Sequence, residues 1–430
     1  MSQKGSPARF MLFRRRYLKH LEKDLDRWID KGWVVSIRRD AILKDAALHD
    51  EKPRMAVLLA MLGALLLAAG AMSFVAANWD AMGSGDRLAL LFGSLTASFA
   101  GGWWFTAHGQ RPAVGQGLFL LGSVLFGAGI MLVAQIFHIQ AHFPDGSLMW
   151  AAGALAVAVI LSNQASLWLA FGVAFVWSMQ ELVAFGTLPH WPFLVAWAVM
   201  ATVALRHRWW HCLSLGVLVL ALWYAVTGTW FALDVAKLSG VEAAALLMVP
   251  ALAAWTVGNA VPHVGGLLHV LGLLGIVACS FVITQPSLDP PATAVAFGTA
   301  GLGVGVALVA ALAMRWRGIE GVGPWLWERL ALAALAGALA PLRFLLESGS
   351  WSVLAGWGMI VGFLLLVVAL AVHGGRSGDV MARRLAYAAF AVDVVWLYYQ
   401  GDVSLLSLFV FFTLAGVALV ASALRLERRA

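Results

Sequence analysis

The chain has 430 residues, 62% of them hydrophobic and only 12% charged, with a formal net charge of +7. A soluble domain carries about 25% charged residues. The composition therefore leaves no room for a large soluble domain and predicts a protein made mostly of membrane spans.

The first 53 residues are polar and basic. Phe10, Phe13, Tyr17, Leu21, Leu25 and Trp28 recur at helical spacing, with Arg16, Lys19, Lys23 and Arg27 on other faces. This predicts an amphipathic basic helix ended by Gly32, then a second short helix capped by Ser36. The expected partner of this helical hairpin is the lipid bilayer with its anionic headgroups, or an envelope protein. Nucleic acid is not expected. No short apolar core precedes a small-residue cleavage site, so the first span is expected to act as an uncleaved insertion signal.

Residues 54–425 are then expected to form a transmembrane bundle. Each crossing needs about 20 mostly apolar residues. The apolar runs predict fourteen spans, at 55–77, 88–107, 115–137, 147–162, 166–185, 190–205, 212–232, 241–260, 264–284, 292–314, 325–346, 351–373, 384–400 and 403–424. The fourth and sixth are short enough to be tilted or re-entrant.

Charge orients them. Fourteen Lys and Arg precede the first span. Arg111, Arg206, Arg208, Arg315, Arg317, Arg376, Arg383 and Arg384 fall in alternate gaps, and Arg425, Arg428 and Arg429 end the chain, whereas the opposite gaps hold only Arg87 and Lys237. The positive-inside rule places both termini in the cytoplasm. The fold class is therefore an all-α polytopic bundle of about fourteen spans. Trp103, Trp104, Trp150, Trp209, Trp210, Trp325, Trp327 and Trp351 crowd span ends, where indoles anchor at the headgroups.

Ionisable residues inside apolar spans are costly and mark candidate sites. In chain order these are Asn78, Trp79 and Asp80 ending span one, Gln135 and His138 ending span three, Glu181 in span five, Arg343 and Glu347 in span eleven, and Asp393 in span thirteen. With odd spans running outward, all lie in the outer half, where they are expected to line one polar cavity. Arg343 needs an acidic partner, and Glu347 is one helical turn away. Pro341 should loosen the helix just before it. Structural pairing or solvated span ends would explain the same residues.

His138 and His142 stand four apart, a spacing that suits two metal ligands on one helix face. No Glu follows His138, as a metalloprotease helix would require. No metal and no cofactor is expected. The two cysteines, Cys212 and Cys279, are expected to pack as small apolar side chains without a disulfide. Glycine runs at Gly301, Gly303 and Gly305, and at Gly358 and Gly362, should allow close helix contact.

Ala-Ala-Asn-Trp-Asp at 76–80 and the run from Gly127 to Ile139, through Gln135-Ile136-Phe137-His138, resemble a bacterial family of multispanning membrane proteins catalogued as a domain of unknown function. The family pattern has an AANWD-like span end and a GxxIxLxxQIYHI-like third span, after a short helix like Trp28–Trp33. Phe137 stands where the pattern more usually has Tyr. The likeness is strongest over residues 28–165. It implies residence in the bacterial cytoplasmic membrane and supplies no activity.

The leading functional reading is transport or binding of a small solute or lipid-linked molecule in the outer-half cavity. One alternative is a membrane enzyme acting on a lipid-linked substrate, although the first exterior loop, with only Asp80 and Asp86, is short for one. Another is a scaffold or sensor in an envelope complex.

Overall fold

The computed structural model describes residues 25–32, 35, 82–108, 112–139, 142–187, 189–258, 261–285, 291–316, 326–347 and 352–399. Two units make up the chain, Met1–Arg87 and Leu88–Ala430. In the first, a helical stretch over 25–30 ends at Gly32, whose φ of +71° is the left-handed conformation that glycine adopts without strain. The rest of the expected basic hairpin, Asn78, Trp79 and Asp80, and the expected spans at 55–77 and 403–424 lie outside the described residues.

The described remainder is helical, with no strand. This follows from the apolar composition, because a helix satisfies its own backbone polar groups where water is absent. The helices are α1 (Ser84–Ala107), α2 (Pro112–Ile136), α3 (Pro144–Ile160), α4 (Gln164–Phe185), α5 (Pro192–Arg206), α6 (Trp210–Trp230), α7 (Gly240–Gly258), α8 (Gly265–Ile283), α9 (Thr293–Trp316), α10 (Leu326–Gly337), α11 (Leu339–Glu347), α12 (Ser352–Arg376) and α13 (Val380–Tyr399). A π-helical turn, Phe231–Val235, extends α6.

Local signals set many of the ends. Pro144 and Pro192 occupy first-turn positions, where the missing N–H costs nothing. Asn163 caps α4 by accepting from the Ser166 N–H, and Gly186 closes it at φ +65°. Ser239 and Glu242 form a reciprocal capping box at the start of α7. The second Glu242 oxygen accepts the Ala292 N–H ahead of α9, tying two helix starts together.

Eight helices among the described residues are long and apolar enough to cross a membrane, and Pro144–Ile160, Pro192–Arg206 and Ala294–Val309 are shorter apolar helices. The two short spans expected from sequence are thus short helices. Large apolar side chains such as Ile160, Val183, Val195, Val309 and Val395 face outward. Such a surface suits lipid rather than water.

Burial falls into two groups. Phe171, Phe193, Met200 and Trp223 centre one, built mainly from α3 to α6 with Val264 at the start of α8. Met248, Trp255, Leu273, Leu339 and Phe363 belong to the other, which runs from α7 to α13. In the second, α7 and α8 approach through Gly272 and Gly275, each facing Ala251. The sequence instead singled out Gly301, Gly303 and Gly305. Of these only Gly303 meets a neighbour, Leu252, while Gly301 and Gly305 face open space. Gly358 and Gly362 do receive Leu346 and Leu339.

Two further expectations change. Trp150 is not a membrane anchor: its indole lies against Gly127 and donates to the Ser123 carbonyl at 2.9 Å. Trp103 and Trp104 remain exposed. Both cysteines are free, as expected.

Candidate functional site

Among the described residues of the second unit, ionisable side chains gather in three places. The first lies where α4 ends and α3 and α5 begin. His142 Nε2 meets Glu181 Oε1 at 2.7 Å, and the Ser147 hydroxyl donates to Gln180 Oε1 at 2.8 Å. His142 precedes α3, Asp145 is in its first turn, and Glu181 is in the last turns of α4. Below them the Trp223 indole donates to the Ser178 hydroxyl, which stands 3.1 Å from His190 Nδ1. Trp177 meets the His190 ring edge-on. Burial pushes the His190 pKa down, and the nearby Glu181 charge only partly opposes this.

The second joins α8, α11 and α13. Arg343 is 1% exposed. Its Nη1 donates to the carbonyls of Ile283 and Gln285, each at 2.6 Å, and its Nε lies 3.0 Å from Glu347 Oε1. A helix C-terminus leaves carbonyls without intrahelical donors and carries partial negative charge. The guanidinium therefore caps α8 while pairing with its own helical neighbour. The expected loosening occurs just upstream: helix α10 stops at Gly337, and α11 resumes at Leu339. Pro341 has no N–H to bond the Gly337 carbonyl. The Trp396 indole donates to Gln285 Oε1 from α13. One turn earlier on α13, Asp393 is 4% exposed, and its Oδ2 has no hydrogen-bond partner among the described residues.

The third lies at the opposite ends of these helices, and nothing in the sequence reading anticipated it. His269 Nε2 bonds Asp379 Oδ2. The other Asp379 oxygen accepts the Met381 and Ala382 N–H groups at 3.0 Å, capping α13. His373 and Arg376 converge on Glu328 at 3.0 and 3.2 Å. The Arg329 guanidinium sits 5.7 Å from the Trp255 ring centre, a cation–π contact. Burial raises the Asp379 pKa, but the His269 bond and the two N–H bonds outweigh it and hold the carboxyl at about 2. Two histidines and an arginine within apolar spans were the available signal; only their convergence from different helices gives them meaning.

The expected single cavity is thus divided. Arg343, Glu347 and Asp393 belong to the α7–α13 group, and Glu181 to the α3–α6 group. Gln135 is exposed near the end of α2, and His138 just beyond it is exposed with φ +50°. His138 does not join His142 in a ligand group; Asp145 and Glu181 do.

The long apolar helices, their outward apolar faces and the α2 segment now stand together. Residues 26–168 match the family described as predicted membrane protein (DUF2157). That description agrees with the likeness read from residues 28–165. The matched segment contains Gln135, His138, His142 and Asp145, and it stops before Glu181, Arg343 and Asp393. No curated protein and no solved structure matches the chain.

Proposed function

We propose that this membrane protein resides in the bacterial cytoplasmic membrane and binds and carries a small solute through the polar layer of α8, α11 and α13. The observation that supports this reading most is Asp393, buried in an apolar helix with a carboxylate oxygen lacking a partner among the described residues. An intramembrane carboxyl is retained against its desolvation cost when it exchanges a proton or receives a cationic or hydrogen-bond-donating ligand. Arg343 is held by two carbonyls and Glu347, so it forms a fixed wall rather than a mobile gate. The break between α10 and α11 supports the same reading, because interrupted spans lie at the solute sites of many transporters.

The test is a thermal-shift screen of the purified full chain in detergent against small amines, amino acids, carboxylates and a lipid-linked sugar phosphate. At least one compound should raise the melting temperature of the wild type and leave Asp393→Asn unchanged. Asp393→Asn by itself should melt within about 4 °C of wild type. If no compound distinguishes the two proteins, the reading fails.

A further inference from the structure

We propose that His142, Asp145 and Glu181 form a binding site for a divalent metal ion. Their ligand atoms, one imidazole nitrogen and two carboxylate oxygens, all lie within 4.8 Å of one another. A tetrahedral metal bonded at about 2.0–2.2 Å holds its donors roughly 3.4 Å apart. The Asp145 oxygen therefore has to move inward by up to about 1.4 Å for such a centre, which a rotation of the exposed Asp145 side chain supplies. The closest pair, His142 Nε2 and Glu181 Oε1 at 2.7 Å, opens slightly when the ion replaces the hydrogen between them.

Three features make this more than a chance meeting of acidic groups. One donor is an imidazole, and the set comes from two elements separated in sequence. The donors are also held from behind. The His142 ring packs at a tilt against Phe185 with ring centres 4.1 Å apart, Pro144 starts α3 between His142 and Asp145, and the Asp145 N–H bonds the His142 carbonyl at 3.0 Å. Finally, Glu181 is 9% exposed, while His142 and Asp145 open to the surface. A buried carboxylate thus forms the floor of the site, and its partner His142 carries a compensating charge only when protonated. A divalent cation balances the two carboxylates at any pH where the imidazole is neutral.

One nitrogen and two carboxylate oxygens, with no thiolate, suit Zn²⁺ or Mn²⁺. Three protein donors leave at least one coordination position for water or a solute. The site belongs to the α3–α6 group, so it stands or falls separately from the Asp393 reading.

The experiment uses the full chain, purified without a histidine tag and stripped with a chelator. Zn²⁺ is titrated against a fluorescent competitor, and Co²⁺ is followed by its d–d absorption. Wild type should bind one ion per chain. Asp145→Asn, at an exposed position where folding is not at risk, should weaken Zn²⁺ by about tenfold or more. His142→Ala should do the same and remove the Co²⁺ band. His138→Ala should bind as wild type. The proposal is overturned if wild type takes up no stoichiometric ion, if Asp145→Asn and His142→Ala keep wild-type affinity, or if His138→Ala alone abolishes binding.

Discussion

Asp379 shows how a residue unremarkable in sequence becomes consequential through its contacts. Its folded-state pKa of about 2 lies below the ordinary aspartate value of about 3.9. The folded protein therefore holds this proton less tightly than the unfolded chain. Stability from the Asp379 contacts is present above about pH 4 and is lost as pH falls toward 2. His190 acts in the same direction in a different window: its pKa is depressed, so stability is full above about 6.5 and declines as pH falls through the folded value. Melting curves in detergent should show both losses, and Asp379→Asn should flatten only the segment between about pH 4 and 2. A wild-type acid limb in Asp379→Asn would show that the carboxylate contributes nothing. Local pairing was partly legible from spacing. Arg343 and Glu347 meet because helix geometry brings i and i+4 together. The Ile283 and Gln285 carbonyls and the Trp396 indole were not legible, because they arrive from other helices.

At the scale of helices, small residues matter only where another backbone lies opposite. A Cβ on Gly272 would stand 2.6 Å from the Ala251 carbonyl oxygen and closer still to the Trp255 backbone nitrogen. Backbone atoms cannot rotate away, so α7 and α8 would have to separate. Gly272→Ala should cost about 2–3 kcal/mol in the melting of the purified protein. Gly301→Ala meets nothing within 4 Å and should be neutral or stabilising by up to about 1 kcal/mol, since alanine is the better helix former. Equal effects would mean that glycine contact does not set this helix pair. The glycine run at 301–305 is conspicuous in sequence, yet the tighter approach belongs to α7 and α8. Facing partners are a tertiary property. Pro341 is the contrary case: the break before Arg343 was legible because a missing N–H acts within its own helix.

For the whole molecule, the alternation of Arg and Lys makes a prediction about sidedness. Thr187 and His207 are exposed on either side of α5. Fourteen spans with cytoplasmic termini place residue 187 outside and residue 207 inside. The native cysteines offer little background, Cys212 being buried and Cys279 half-buried. In intact cells a membrane-impermeant maleimide should label Thr187→Cys and leave His207→Cys unlabelled until the cells are opened. The reverse pattern would invert the orientation.

The sequence by itself determined that this is an all-helical membrane protein, where most of its helices lie, and which residues are costly to bury. Those properties follow from apolar runs long enough to span lipid and from the backbone's need to bond itself there. Only the tertiary structure decided how the costly residues are grouped. It placed Glu181 with His142 and Asp145 in one helix group, and Arg343 with Glu347 in the other. It also revealed the His269–Asp379 and His373–Glu328 pairs at the far end. A shared depth is set by position along a span, whereas contact across helices depends on how each helix is rotated and which neighbours it meets.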